Sequence, residues 1–202
     1  MSSLPLPSSI LFTLELKDLI HSYKSILLIT VAGFYPYIYN FIKADTLPPF
    51  IYHIFILAAS CQFVYDSLHT DKQSGSMSLY INIGLTYKEY ISSKLIMGLI
   101  ITLMTFILGF PYIIQNNDYY YLPIILLSSI YASLLMFMAC VISKGEEIAT
   151  AIVVLFILFI LLVIIELVQF TILKYLFVII LDITLFYLDF YVYNSKYFRT
   201  QL

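Results

Sequence analysis

Six apolar runs, each close to the length that crosses a bilayer, constrain this chain more than any other feature. They cover residues 25–42, 50–65, 95–114, 122–143, 148–168 and 175–193, and about 20 apolar residues make one helical span. Hydrophobic residues make up 62% of the 202 and charged ones 11%, whereas a water-soluble domain is about one quarter charged. Backbone in lipid must satisfy its own hydrogen bonds, so runs of this kind are expected to be helices. The chain therefore reads as an all-α integral membrane protein.

Six spans put both ends on one side, and the basic residues choose which. In this layout Lys17, Lys24, Lys72, Lys88, Lys94, Lys144, Lys196 and Arg199 share one face, leaving only Lys43 and Lys174 on the other. Basic residues concentrate on the cytoplasmic side, so both termini are expected to be cytoplasmic, as in a multi-pass protein of the plasma membrane. Ahead of the first span, residues 8–24 follow Pro5 and Pro7, with Ser8 or Ser9 as a cap. At 100° per residue, Phe12, Leu16, Leu19, Ile20 and Tyr23 share one face, while Glu15, Lys17, Asp18, His21, Ser22 and Lys24 take the other. Such a helix fits the membrane interface, although packing on the protein itself is an equal fit to the pattern. No basic segment precedes the first apolar run, and Glu15 and Asp18 fall early, so no cleavable leader is expected.

Between the second and third runs lies the one long polar interval, residues 66–94, DSLHTDKQSGSMSLYINIGLTYKEYISSK. Asp66, His69, Asp71, Lys72 and Gln73 form a charged lead-in. Gly75 permits a turn because it lacks Cβ. A short apolar helix fits residues 76–83, with Met77, Tyr80 and Ile81 near one face and Gly84 as its stop. Thr86 and Glu89 then have capping-box spacing, which starts a new helix through Lys94.

This interval resembles the coupling loop of the type 2 exporter permeases of ATP-binding-cassette (ABC) transporters. Gly75, Ser76, Met77 and Ser78 stand for that family's Gly-Thr-Leu-Glu, and Tyr80 with Ile81 for its Leu pair. Gly84 takes the Pro position, Thr86 and Tyr87 that of Ser-Arg, and Glu89 and Lys94 match directly. Ser78, Gly84 and Tyr87 are departures that leave the register unchanged. The resemblance implies that residues 76–83 dock on a separate ATPase subunit, with Met77, Leu79, Tyr80 and Ile83 as anchors. It also implies an interfacial helix before the first span. The expected assembly has two ATPase subunits and two permease chains, the second identical or a sister. ATP and Mg²⁺ would be bound in the ATPase, and none of this chain's residues would hold a cofactor. Hydrophobic or amphiphilic molecules such as peptides, antibiotics or lipids are the expected exports. The family's outer turn between spans five and six carries short re-entrant helices, for which residues 166–174 leave little room.

On this reading the chain is one transmembrane domain. It comprises an interfacial helix at 8–24, two spans in 25–65, the coupling loop at 66–94 and four spans in 95–193. An ionisable group inside a span marks a functional hypothesis by default. Asp182 lies well within the sixth run, Asp189 nearer its inner end, and Glu166 near the outer end of the fifth, where Lys174 is a ready partner. Asp182 is read either as a hydrogen-bonding group or as a polar point on a translocation path. Tyr35, Tyr37, Tyr39, Tyr112 and 119–121 crowd the outer ends, as expected of an interfacial aromatic belt in a chain with no Trp. Ser128, Ala132, Met136 and Cys140, beside Ser129 and Ser133, form a seam of mostly small residues suited to close helix packing.

Other classes find less support. The six glycines include no phosphate-binding loop. His53 and Cys61 lie about 12 Å apart along one helix, beyond nucleophile–base reach. The three histidines lack ligand spacing for a metal. Gly145-Glu146-Glu147 has the paired glutamates of intramembrane glutamic proteases but Ala151 where their Arg belongs. An intramembrane enzyme, a secondary transporter and an accessory membrane subunit stay as alternatives. Net charge of −2 gives no electrostatic footprint for nucleic acid. Cys61 and Cys140 fall in apolar runs, as buried thiols would.

Overall fold

Helices supply all the regular structure among the described residues of the computed structural model, which are 7–21, 23–43, 49–115, 122–142, 163 and 171–197. In chain order they are α1 (Pro7–His21), α2 (Tyr23–Lys43), α3 (Pro49–Ser74), α4 (Ser76–Asn82), α5 (Tyr87–Leu108), α6 (Phe110–Gln115), α7 (Leu122–Ile142) and α8 (Thr171–Tyr197). Five of these, α2, α3, α5, α7 and α8, are long and apolar enough to cross a membrane. The expected fifth span, 148–168, lies outside the described residues apart from Val163, and so does Glu166.

Large apolar side chains face outward along α2 (Ile26, Leu27, Val31, Phe34) and α8 (Ile172, Ile180, Ile183, Tyr187). Such stripes are rare on water-soluble monomers and suit contact with acyl chains. Together with the helix lengths, they make this a multi-pass helical membrane protein.

Helices α3, α5 and α7 pack on one another at the centre. Helix α2 lies against α3 and α5, α1 against α5, and α8 against α7. The central contact is lined with hydroxyls. Ser60 of α3 donates or accepts at 3.3 Å with Ser129 of α7, bonds the Gly98 carbonyl at 3.0 Å, and Thr102 of α5 meets Ser129 at 2.7 Å. Gly98 lets the three helices close in: a Cβ there would stand 2.6 Å from Ser133 Oγ and 3.0 Å from Ser60 Oγ. The small-residue seam of α7 is thus used for packing inside the chain.

Two boundaries differ from the sequence reading. Residues 66–74 are not a loop lead-in but the last turns of α3; α5 starts after Thr86, as its capping-box spacing predicts, so the interval between the two helices is 75–86. Hydroxyls that would compete with a helix instead bond back to it, Thr70 to the Asp66 carbonyl and Ser74 to that of Thr70, both at 2.8 Å. The third run, expected unbroken over 95–114, is interrupted at Gly109. Tyr52 Oη donates to the Thr105 carbonyl at 3.2 Å and Tyr37 Oη to that of Leu108 at 3.3 Å, satisfying the open end of α5 before α6 begins. These tyrosines belong to an interior cluster: Tyr52 and Tyr112 are buried with Ile56, Phe106, Ile113 and Ile125, and Tyr35, Tyr37 and Tyr39 pack against it. The aromatic-belt expectation does not describe Tyr112, whose ring faces other rings.

Candidate functional site

The interval 75–86 is built by glycine and capping geometry. Gly75 ends α3 at φ 72° and Gly84 follows α4 at φ 81°, both left-handed conformations that cost a residue with Cβ. After α4 the Leu85 amide donates to the Tyr80 carbonyl at 3.0 Å, the six-to-one bond of a Schellman cap with Gly84 in its left-handed position. Leu85 itself is buried. Helix α5 then opens on the capping box: the Thr86 amide donates to Glu89 Oε2 at 2.8 Å, and the Thr86 hydroxyl accepts from the Glu89 amide at 3.4 Å. Helix α4 is held at both ends by local chemistry.

Its faces are unequal. Leu79 is 59% exposed and Ile83 51%, and one turn separates them, so they form a small apolar step on the surface. Tyr80 turns the other way. Its hydroxyl donates to Asp71 Oδ1 at 3.2 Å and its ring lies 6.0 Å from that of Tyr90. Tyr80, expected as one of four outward anchors, is therefore committed inward. Met77 lies outside the residues whose side chains are described.

Beneath Tyr80 is a buried ion cluster. Lys94 of α5, 1% exposed, reaches Asp71 Oδ2 at 2.7 Å and also contacts Glu15 and Ser67. Ser67 donates to Glu15 Oε2 at 2.8 Å, and Tyr90 donates to Asp71 Oδ2 at 2.9 Å. The Lys94 ammonium stands 5.3 Å from the centre of the Tyr90 ring. Four helices meet here: α1 through Glu15, α3 through Ser67 and Asp71, α4 through Tyr80, and α5 through Tyr90 and Lys94. Burial raises the Glu15 carboxyl above its ordinary value against the opposing pull of Lys94 and of the Lys94 and Ser67 hydrogen bonds. The Tyr80 hydroxyl is likewise pushed up, first by burial and then by the Asp71 charge.

Lys94, matched to the loop's closing lysine, points into the protein, and one sequence expectation changes. Glu15, placed on the polar outer face of α1, is 4% exposed; the buried stripe is Leu11, Glu15 and Leu19, while Leu16, Ile20 and Tyr23 face outward. Glu15 shares the Lys94 ammonium with Asp71, and that attraction offsets part of the cost of its burial. Beside the cluster a cavity of about 230 Å³ is lined by Asp18, Ser25, Phe63, Asp66, Ser67, Thr70 and Asp71.

Asp182 and Asp189 lie apart from this cluster, on α8. Asp189 is wholly buried and Asp182 is 9% exposed. Among the described residues no group of His, Cys, Asp and Glu converges in a way that would hold a metal ion.

The site thus couples a surface step, Leu79 and Ile83, to an interior charge cluster through one short helix. No family model, no curated protein and no solved structure matches this chain.

Proposed function

We propose that this chain is the membrane-spanning permease of an ATP-driven exporter of the type 2 ABC class, with α4 as the helix that couples it to a separate ATPase. The observation that carries the reading is α4 itself. A helix of seven residues, Ser76–Asn82, is set between two left-handed glycines, shows Leu79 to the outside with Ile83 exposed in the turn that follows, and is pinned from below at Tyr80. Exposed apolar residues on a rigid short element, beyond the ends of two spans, suit insertion into a partner's groove.

The charge distribution supports an inward orientation for this end, with both termini in the cytoplasm of a plasma-membrane protein. Two such chains, identical or sister, with two ATPase subunits would make the working unit. A push on α4 reaches Asp71 through Tyr80, and from Asp71 reaches Lys94 at the head of α5 and Glu15 on α1. ATP-driven closure would then reposition α1 and α5 together, switching access between the membrane faces. The exported molecule would be amphiphilic, such as a peptide, an antibiotic or a lipid, as the resemblance of the coupling loop implies.

Purification of the tagged chain from native membranes in mild detergent tests this reading. The preparation is expected to contain an ATPase with a phosphate-binding loop and to hydrolyse ATP. A preparation free of any ATPase, at full recovery of the chain, would refute it.

A further inference from the structure

Helix α8 (Thr171–Tyr197) carries two carboxyl groups on one stripe. Asp182 and Asp189 are seven residues apart, which at 100° per residue brings them within about 20° of each other. Both face inward, opposite the exposed Ile180, Ile183, Tyr187 and Tyr191. Helix α8 packs on α7 and on the start of α5, so the groups those helices present to the two acids decide their charge. From α7, the titratable neighbour of Asp182 is Tyr131. From α5, that of Asp189 is Tyr87, its ring 5.5 Å from that of Phe190. Lys88 of α5 lies over the Phe190 ring, 5.9 Å from its centre.

Neither oxygen of Asp189 has a hydrogen-bond donor, and Asp182 Oδ1 has none, among the described residues. A buried ionised carboxylate keeps its charge only where a cation or several donors replace its lost hydration. Among the described residues the fully buried Asp189 has neither, and Asp182 has one oxygen without a donor. Neutralising such a group by a proton costs far less than burying it bare.

We propose that Asp182 and Asp189 are two proton-binding sites on the buried face of the last span, filled while that face is packed and emptied when water reaches it. Seven residues of helix separate them by about 10 Å, too far for a direct hop, so they act as two sites and not as a relay. Any rearrangement that wets this face of α8 then releases protons, up to two per chain, and is opposed by acid. This inference needs only the membrane-buried packing of α8 and is independent of the ATPase assignment.

Infrared spectroscopy of the purified full chain in phosphatidylcholine vesicles at neutral pH reads the sites directly. Protonated carboxyls absorb apart from ionised ones. Asp182→Asn and Asp189→Asn are each expected to remove the absorption of one protonated carboxyl, and the double substitution that of two. A spectrum that is the same at the protonated position for the wild type and both variants would overturn the proposal. If a variant fails to accumulate, ¹³C-aspartate labelling of the unsubstituted chain answers the same question. Two protonated aspartates are expected at neutral pH, and a fully ionised set, with or without a sodium dependence, would overturn it.

Discussion

The Asp71 carboxylate and the Lys94 ammonium lie 2.7 Å apart with almost no contact with solvent, joining the last turns of one span to the first turns of the next. Between them in sequence stands the whole interval that holds α4. The pair therefore closes the base of a loop whose tip shows Leu79 and Ile83 to the outside. Tyr80 and Tyr90 fill the remaining acceptors of Asp71, and Glu15 brings a second negative charge to the same lysine. One cation thus serves two acids from two helices.

That imbalance makes the three charges unequal. Lys94→Met would leave two buried carboxylates without a cation and is expected to lower stability by about 3–5 kcal/mol. Glu15→Gln keeps the Asp71–Lys94 pair and the shape of the cluster, and is expected to cost less than half as much. Thermal unfolding in detergent, followed by circular dichroism, ranks the two. Equal losses would show that the cluster is not organised around Lys94.

Acidity acts on the cluster through Glu15. Its carboxyl is raised in the folded protein above the ordinary 4.5, chiefly by burial. A group raised on folding binds its proton more tightly when folded, so its stabilising effect is complete below 4.5 and is lost as pH rises through the folded value. The melting temperature should therefore fall with pH just above 4.5, and Glu15→Gln should flatten that part of the curve. An unchanged slope in the variant would mean that the attraction of Lys94 outweighs burial.

The central crossing of α3, α5 and α7 makes a separate prediction. Gly98→Ala places a methyl 2.6 Å from Ser133 Oγ and is expected to cost about 1–3 kcal/mol through overpacking. Ser133 Oγ is buried without a hydrogen-bond partner among the described residues, so Ser133→Ala should be neutral or slightly stabilising. Combining the two should recover part of the Gly98→Ala loss. Strictly additive effects in the melting measurements would contradict this contact.

What the sequence displayed was local. The apolar runs marked α2, α3, α5, α7 and α8, Gly75 and Gly84 marked the ends of α4, and the Thr86–Glu89 spacing marked the start of α5. All of these rest on neighbours within a few residues. The interior of the site does not. Glu15 sits on a helical wheel beside Lys17 and Asp18 and reads as solvated, because its partner Lys94 is 79 positions away. Leu11, Glu15 and Leu19 recur every fourth residue, yet an acid in the middle of that stripe breaks the hydrophobic pattern that would reveal it. For the same reason the polar residues 66–74 read as a loop: their helix is tied down by the Asp71–Lys94 pair, a contact that composition does not record. The Gly109 break likewise depends on two tyrosine hydroxyls arriving from α2 and α3.

The proposed coupling role of α4 has its most direct test at Leu79 and at Ile83 in the turn that follows it. The double variant Leu79→Asp, Ile83→Asp changes only surface side chains, so helical content, membrane insertion and melting temperature should stay near those of the wild type. ATPase recovered with the tagged variant from native membranes is expected to fall at least tenfold, since losing two apolar anchors and burying charge in their place costs more than about 2 kcal/mol. Tyr80→Phe, which removes only the inward hydroxyl bond to Asp71, should keep the ATPase bound. Undiminished ATPase recovery with the double variant would contradict docking through α4.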